Sequence, residues 1–455
     1  MELLLDILKI IFNYLDFESQ MAMISTCVYY RTNLYITDLY NIKGKYLEAL
    51  TTKILKYHIF KNVIKLNASN NNKITDVSFM KSLKKLNISG NNGIGQKGIR
   101  GIDLNELNAT NNGNILNVSF MTSLKILNAR NNCGIGQKGI RCLNLFELDA
   151  SDNRKIKNVS FMKLLKILRA NGSCGIGQEN IVGLNLIELD TYFNFKIKNI
   201  SFMHSLKKLN SGFSGINQNG IRDLNLIELD VSDNIKINNV SFMTSLKKLN
   251  ANGYCEIDQK GIQGLDLVDL DISRNIKIKN ISFMKSLKKL EASDICGINQ
   301  NGIYGLDLVV FNARNNKEFI NVSFMTSLKI LNANNNCGIN QNGIRDLKLF
   351  ELYANNNNKI INVSFMKTLK KLDASYVCGI NQNGIQGLNL RYLNISCNEK
   401  ITNISFMTLL KTLEIRGECG IKKNNIIGLK IEQIHAFQNK EFSNVQNLVG
   451  SKYHF

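Results

Sequence analysis

Ten cysteines and four histidines are the first candidates in this 455-residue chain for binding a metal ion or for nucleophilic chemistry. Seven of the cysteines recur at one position of a sequence repeat, and we call them the cysteine column. In a stack of repeats, consecutive members of this column would lie two strands apart, about 9–10 Å. A disulfide needs Cα atoms within ~7 Å. The sulfur ligands of a zinc ion lie closer still. We therefore interpret this column as small, buried, reduced side chains. Its members are Cys133, Cys174, Cys255, Cys296, Cys337, Cys378 and Cys419.

The histidines and a glycine motif give no stronger indication of chemistry. His58, His204, His435 and His454 show no metal-ligand spacing and are interpreted as surface residues. The run from Gly93 to Gly98, Gly-Ile-Gly-Gln-Lys-Gly, matches the dinucleotide fingerprint, which requires a strand–turn–helix unit. The same register reads Gly-Ile-Asn-Gln-Asn-Gly at 338–343, so these glycines are predicted to be turn residues with positive φ. The sequence thus predicts neither an enzyme nor a bound cofactor.

A repeat explains most of these residues. The motif Val/Ile-Ser-Phe-Met recurs in steps of 41 residues, with one step of 40. Each period divides into two units that open with Leu-x-x-Leu, giving nine units of a first kind and ten of a second between Val63 and Ile431. The phenylalanines of the motif stand at 79, 120, 161, 202, 242, 283, 324, 365 and 406. Such self-similarity is typical of solenoids.

The spacing within each unit predicts a short strand. Alternate residues of a strand face opposite sides, so one apolar pair points inward and a variable pair points outward. The second kind carries an Asn after the strand in all ten units, where its amide can satisfy backbone groups at the turn. The later Ile and Phe are predicted to fill the interior behind the strand. Because one unit cannot bury its own apolar face, stacking supplies the core.

This pattern resembles leucine-rich repeat proteins over residues 63–440. The first kind is similar to the cysteine-containing subclass found in F-box proteins, with a shorter back half. The resemblance implies an α/β solenoid, a horseshoe whose parallel inner sheet has about 19 short strands. The inner face of such solenoids is the usual binding surface.

The formal charge of +21 suggests nucleic acid as a partner, although the abundance of Asn, Ile and Lys also fits AT-rich codons. The first outward residue of successive strands alternates in sign, as in Glu188, Lys208 and Glu228. The second outward row is acidic, with Asp149, Asp190, Asp230 and Asp271. A phosphate backbone would meet these carboxylates, so nucleic acid is disfavoured and restricted to the basic flank, the strand-flanking lysines such as Lys84, Lys125 and Lys166. The alternating charges are also open to a simpler interpretation, in which they set register and solubility.

The inner face is the predicted target-binding surface. Later units replace its acidic residues with Tyr353, Tyr392 and His435, and exposed aromatic residues on rigid elements are typical interface anchors. Drift of the repeats near a cap is an equally open explanation. The predicted target-binding residues are Glu188, Asp190, Lys208, Glu228, Asp230, Lys248, Asp269, Asp271, Tyr353, Tyr392 and His435.

Residues 1–40 do not follow the repeat, and their apolar spacing predicts two short amphipathic helices. The segment resembles an F-box at Leu3, Asp6, Ile7, Leu8, Ile11, Phe12, Tyr14, Leu15, Cys27 and Tyr30, with Leu4 in place of the usual Pro and Tyr30 in place of Trp. The resemblance implies docking to a Skp-type adaptor of a cullin–RING ubiquitin ligase. The implied adaptor-binding residues are Leu3, Leu4, Ile7, Leu8, Ile11, Phe12, Leu15 and Tyr30. One alternative is a cap on the first repeat; another is a repeat scaffold or host-interaction protein without a ligase link.

The remaining segments are predicted to be a connecting helical cap at 41–62 and a C-terminal cap at 441–455. No apolar run approaches the ~18–20 residues of a membrane span, and the N-terminus lacks a basic leader. We therefore expect an intracellular, cytoplasmic protein that is monomeric outside its complex. A short F-box with Asn-rich repeats also resembles proteins of giant amoeba-infecting DNA viruses, which implies the host cytoplasm.

Overall fold

A computed structural model describes residues 2–42, 44–442 and 453–454, without the side chains of 2–4 and 453–454. The chain forms two compact units, Met1–Leu224 and Asn225–Phe455. Each unit is a stack of short parallel strands. The predicted C-terminal cap at 441–455 falls largely on residues outside the described part of the chain.

Three helices begin the first unit: α1 (Glu2–Tyr14), α2 (Phe17–Thr26) and α3 (Val28–Asn33). The segment therefore has three helices and not the predicted two, and the extended backbone of Cys27, with φ −153° and ψ 162°, separates α2 from α3. Asp16 caps α2 by accepting a hydrogen bond from the Ser19 amide at 2.8 Å. A short strand, β1 (Asp38–Leu39), then pairs with the first repeat strand, so the sheet already begins inside the segment predicted to be all-helical.

The connecting segment 41–62 is partly helical. It contains α4 (Gly44–Ala49), α5 (Thr52–Leu55) and a 3-10 turn at His58–Phe60. Leu50, Leu55 and Phe60 are buried. The Asn71 amide donates to the carbonyl oxygens of Leu47 and Leu50, at 2.6 and 3.1 Å. The segment is therefore joined to the first repeats through both apolar contacts and hydrogen bonds.

Nineteen three-residue strands follow, which confirms the predicted number and the parallel leucine-rich repeat architecture. In the first unit they are β2 (Lys65–Asn67), β3 (Lys85–Asn87), β4 (Glu106–Asn108), β5 (Ile126–Asn128), β6 (Glu147–Asp149), β7 (Ile167–Arg169), β8 (Glu188–Asp190) and β9 (Lys208–Asn210).

The second unit continues with β10 (Glu228–Asp230), β11 (Lys248–Asn250), β12 (Asp269–Asp271), β13 (Lys289–Glu291), β14 (Val310–Asn312), β15 (Ile330–Asn332), β16 (Glu351–Tyr353), β17 (Lys371–Asp373), β18 (Tyr392–Asn394), β19 (Thr412–Glu414) and β20 (Gln433–His435). A final strand, β21 (Tyr453–His454), pairs with β20. The backs of the first-kind units carry short 3-10 turns and one helical turn, α6 (Gln382–Ile385).

These strands pair in register, so equivalent residues of successive repeats lie next to one another. Leu148 in the middle of β6 faces Leu127 and Leu168 of its neighbours, and all three are buried. The first and third residues of each strand point outward and form the first and second outward rows. The core therefore lies behind the sheet, and the variable residues lie on its open surface.

The ten second-kind asparagines are all buried, and their side chains bond to backbone groups as predicted. Asn153 is representative: its amide donates to the carbonyl oxygens of Ala129 and Ile135 in the preceding coil, at 2.7 and 3.1 Å. Its Oδ1 accepts a hydrogen bond from the Lys155 amide at 2.9 Å. Each such Asn satisfies backbone groups that no strand reaches, which explains why the residue type is fixed there.

The phenylalanine of Val/Ile-Ser-Phe-Met does not fill the interior, so that prediction was wrong. Six of the nine are exposed and three are half-buried, whereas the Val or Ile and the Met of the motif are buried. The reason is a turn closed by the Met121 amide and the Val118 carbonyl oxygen, 3.0 Å apart. The two ends of this turn face inward, and Phe120 at its corner faces out.

The glycines of the fingerprint motif have a different role from the predicted one. The positive-φ glycines lie elsewhere, for example at Gly90 with φ 75°. At Gly134, a Cβ atom would stand 2.5 Å from the carbonyl oxygens of Gly113 and Ile115 in the preceding coil. Glycine is required because the backbones of successive coils approach closely.

Candidate functional site

The outward rows of the sheet carry the alternating charges that the sequence predicted. In the first unit, Lys85 pairs with Glu106 at 2.6 Å, and Arg169 contacts both Glu147 and Glu188, the latter at 3.1 Å. In the second unit, Lys248 lies 3.4 Å from Glu228, and Lys289 lies 3.7 Å from Asp269. These pairs are partly exposed, and each stabilises the fold by at most about 1 kcal/mol.

The second outward row has a structural role that sequence reasoning missed. Its Asp and Asn side chains accept hydrogen bonds from the backbone amide two residues later, where the strand ends. Asp190 accepts from the Tyr192 amide at 3.2 Å, and Asp271 from the Ser273 amide at 2.9 Å. Asp230 accepts from both the amide and the hydroxyl of Ser232, at 2.9 and 2.6 Å. Three of the predicted target-binding aspartates therefore also terminate strands.

The predicted target-binding residues extend along the sheet, and few of them meet. Glu188, Asp190 and Lys208 lie on the first unit. Glu228, Asp230, Lys248, Asp269, Asp271, Tyr353, Tyr392 and His435 lie on the second, with His435 half-buried. In the second unit, Tyr353 and Tyr392 are brought together around a lysine that the prediction omitted.

That lysine is Lys371, whose Nζ stands 5.1 Å from the ring centre of Tyr353 and 4.8 Å from that of Tyr392. The Tyr353 hydroxyl donates to Glu351 Oε2 and the Tyr392 hydroxyl donates to Glu414 Oε1, both at 2.7 Å. We call Glu351, Tyr353, Lys371, Tyr392 and Glu414 the tyrosine cluster. The repeat alignment could have revealed this cluster, because it places Lys371 at the same strand position as Glu351 and Tyr392, and Lys371 is the register partner of both.

Burial and charge shift the acid–base properties of this cluster. Desolvation raises the pKa of Tyr353 and, together with the hydrogen bond to Glu414, that of Tyr392. Interaction with the Tyr353 hydroxyl raises the pKa of Lys371. Desolvation also raises the pKa of the neighbouring Asp373 carboxyl. At neutral pH the site thus presents two rigid neutral phenols on either side of an ammonium group.

The cysteine column is buried, as predicted, except for half-buried Cys419. All ten cysteines are free thiols. Within the described residues, no three or more His, Cys, Asp or Glu side chains are grouped to hold a metal ion. Of the histidines, His58 and His204 are exposed, and His58 Nε2 lies 3.1 Å from the Tyr35 hydroxyl. The side chain of His454 lies outside the description.

The predicted adaptor-binding residues, which lie on α1, at Leu15 just after it and at Tyr30 on α3, differ in their exposure. Ile7 and Ile11 are exposed, together with Ile10 and Tyr14, which the prediction omitted. Phe12 is only 1% exposed and lies in the interior, so its assignment to an adaptor surface is corrected. Leu8, Leu15 and Tyr30 are half-buried, and the side chains of Leu3 and Leu4 lie outside the described residues.

Comparison with known proteins agrees with the geometry of the coils. Residues 61–98 match the family model described as leucine-rich repeats in two copies. The remaining coils repeat the same strand pattern, and together they have the architecture of a leucine-rich repeat solenoid. The sequence matches none of the curated proteins with which it was compared. Among the described residues, no helix has the length and apolar character needed to cross a membrane.

Several solved structures are similar to this chain. One is the TLR13–ssRNA13 complex, with 21% identity, a TM-score of 0.49 and coverage of 88% of this chain and 62% of that chain. Another is the functional domain of InlJ from Listeria monocytogenes, which includes a cysteine ladder, with 17% identity, a TM-score of 0.32 and coverage of 79% and 69%. A third is the yeast Rad7–Elc1 complex, with 15% identity, a TM-score of 0.34 and coverage of 68% and 80%. This chain thus spans less than two thirds of the length of TLR13. Likenesses at these identities say nothing about the binding partners of this chain.

Proposed function

We propose that this leucine-rich repeat chain is the substrate-recognition subunit of a cullin–RING ubiquitin ligase. In this proposal, the N-terminal helices dock a Skp-type adaptor and the sheet surface binds a target protein. The chain itself catalyses nothing, and ubiquitin transfer is performed by other subunits. The chain would act by recruitment.

The exposed apolar face of α1 is the observation that most supports adaptor docking. Ile7, Ile10, Ile11 and Tyr14 are 46–88% exposed and follow one another at helical spacing. A helix that only capped the first repeat would need apolar residues on its inner side, where Phe12 is buried. The outer stripe is not needed for that role, and a contiguous apolar surface of this kind is typical of a protein-binding site.

The adaptor contact can be tested with the purified full chain and a purified Skp-type adaptor. We expect co-elution in size-exclusion chromatography, and we expect the double substitution Ile7→Asp/Ile11→Asp to weaken binding by about 100-fold. That factor follows from losing roughly 1.5 kcal/mol or more per buried apolar side chain. Ile427→Asp, which changes an exposed isoleucine in the second unit, is the matched control and should bind normally.

If the wild-type chain does not bind the adaptor, or binds it no better than the double variant, the ligase role is wrong. The alternative, a repeat scaffold or host-interaction protein without a ligase link, would then account for the chain. The ligase role therefore requires a Skp-type adaptor to bind α1, and the scaffold role does not.

The tyrosine cluster is the proposed centre of target binding. Its two phenol rings are held in place by Lys371, Glu351 and Glu414, so they can bury area on binding with little loss of side-chain entropy. We expect Tyr353→Ala/Tyr392→Ala to lose proteins that the wild-type chain captures from cell extract. Tyr304→Ala, at an exposed tyrosine off the sheet, should retain them. Equal capture by all three would remove the cluster from the target site.

A further inference from the structure

One edge of the second unit carries a row of cations beside the tyrosine cluster. Lys329, Phe350, Lys370 and Arg391 stand immediately before β15, β16, β17 and β18, in four successive coils. Backbone hydrogen bonds of 2.8–2.9 Å join each of these residues to the next. The parallel register therefore extends to this edge, where neighbouring residues lie about 4.8 Å apart.

Lys348 adds a fourth cation to this row, two residues before Phe350. Lys348, Lys370 and Arg391 are exposed. Lys329 is half-buried, with its Nζ 5.3 Å from the ring centre of Phe350, which is itself 46% exposed. We call these five residues the basic edge. It combines four positive charges with an open apolar ring over about 14 Å.

Elsewhere in this unit, a lysine at the same position has a carboxylate beside it. Lys247 Nζ donates to the carbonyl oxygen of Asp266 in the next coil at 3.3 Å. Hydrogen bonds with Ser286 and the charge of Lys247 lower the pKa of the Asp266 carboxyl. In the coil after Lys329, the place of that aspartate is taken by Lys348. A compensating carboxylate is thus replaced by a second cation.

The described part of the chain does not neutralise the charges of the basic edge. None of its four cations forms an ion pair there, whereas Lys411 in the coil after Arg391 pairs with Glu432 at 2.6 Å. Like charges on adjacent strands, such as those of Lys370 and Arg391, repel each other and do not stabilise the sheet. Charge complementarity therefore favours an anionic ligand that also has an apolar part for the phenylalanine.

We infer that the basic edge binds an acidic, extended segment of the target protein. Single exposed ion pairs are weak, so the four cations and the ring act together. About five residues of extended chain span the edge, with carboxylates on the cations and an apolar residue on Phe350. The edge adjoins the tyrosine cluster, because three of its residues directly precede members of that cluster in the sequence. This inference rests on the proposed target-binding role and adds the chemistry of the bound segment.

A single-stranded nucleic acid is the competing ligand, because bases stack on aromatic rings while phosphates pair with lysine. The Lys329 ammonium already lies over the Phe350 ring, which leaves less of the ring for a base. Every nucleotide also carries a phosphate, whereas a peptide can place an uncharged residue opposite Glu351, the residue after Phe350. The acidic peptide is therefore the better fit, and the nucleic acid is an outcome of the test.

The probe is a fluorescein-labelled peptide with the core Glu-Glu-Leu-Glu-Glu, titrated into the full chain at physiological ionic strength. Lys348→Asp introduces the residue that the repeat has at Asp266. Thr368 stands where Ser286 bonds to that aspartate, so the variant should keep the wild-type melting temperature. It should weaken peptide binding about tenfold, because it turns an attraction into a repulsion. Lys260→Asp, the matched control, makes the same change of charge on the back of this unit.

A second variant tests the apolar contact without changing any charge. Phe350→Val gives the edge the residue type that other coils have there, at Val268 and Val309, so it should fold normally. It should weaken binding of the peptide about threefold or more, because the smaller side chain buries less apolar area.

We expect the acidic peptide to bind the wild-type chain and the Lys260 variant equally, and its glutamine counterpart to bind neither. The inference is overturned by any of three results. They are no binding of the acidic peptide to the wild-type chain, equal binding by the Lys348 and Lys260 variants, or tighter binding of oligothymidine than of the peptide. Adaptor co-elution and capture by the tyrosine variants are separate measurements, so failure of the proposed function is distinguishable from failure here.

Discussion

At the scale of single residues, burial determines the chemistry of the cysteine column. Desolvation raises the pKa of Cys133, Cys174, Cys337 and Cys378 to about 11, and that of Cys255 to about 12. A raised thiol pKa means that the protonated, unreactive form predominates at neutral pH. By contrast, Cys27, Cys142 and Cys397 are exposed. The column is therefore part of the core, and the solvent-exposed thiols lie outside it.

Thiol labelling of the native chain at pH 8 should separate these groups. We expect Cys27, Cys142 and Cys397 to react quickly with iodoacetamide, and the six buried thiols to react only after unfolding. Mass spectrometry of the digested protein measures the labelled fraction at each position. Rapid labelling of Cys133 or Cys378 in the folded chain would contradict the burial of the column.

The sequence predicted the role of single residues correctly where the place of the residue in the repeat determines that role. The ten asparagines were predicted because their spacing places an amide at each turn, and Asn153 shows the expected hydrogen bonds. The prediction for Phe120 failed because the sequence does not distinguish an apolar residue at the corner of a turn, which faces solvent, from one at the end of the turn, which faces the core. Sequence-based prediction also missed the strand-terminating role of Asp190, since a carboxylate that accepts backbone amides looks identical in sequence to one that binds a partner.

At the scale of elements, close approach between coils explains the glycines. Gly134→Ala should destabilise the chain by roughly 1–3 kcal/mol, because the added methyl group would overlap two carbonyl oxygens of the preceding coil. Gly44→Ala is the matched control, since a Cβ there has nothing within 4 Å. Urea unfolding of both variants gives the comparison. A Gly134 variant as stable as the Gly44 variant would show that the coils can separate without cost.

The N-terminal elements were predicted in outline. Apolar spacing predicted helices in residues 1–40, but the extended Cys27 and the strand β1 depend on tertiary pairing that periodicity does not encode. Likewise, the spacing identified an apolar stripe on α1 without showing which side faces the repeats. The structure buries Phe12 and exposes Ile10 and Tyr14, which moves the candidate adaptor surface by about one residue around the helix.

At the scale of the whole molecule, the net charge of +21 does not describe the proposed target-binding surface. On strands β10–β20 of the second unit, eight of the outward side chains are carboxylates and three are lysines. A polyanion lying along this surface would therefore be repelled. The positive charge lies in other parts of the coils, where Lys155 and Lys196 are exposed.

Filter binding of single-stranded DNA tests this distribution. At physiological salt we expect little retention, and at low salt any retention should fall steeply as salt is added, as for non-specific phosphate contacts. Replacing the carboxylates Asp269 and Asp271 with Asn should then change retention little, because the sheet surface is not the contact. Tight, salt-resistant retention by the wild-type chain would favour a nucleic-acid function.

Hydrogen–deuterium exchange of the full chain, with and without a purified Skp-type adaptor, tests the proposed recruitment role most directly. We predict that the adaptor slows exchange in peptides covering α1 and α2, and that peptides from the repeats exchange at unchanged rates. Unchanged exchange throughout the chain at saturating adaptor would contradict the proposal. Protection confined to the repeats would contradict it equally, because the adaptor would then bind as a target.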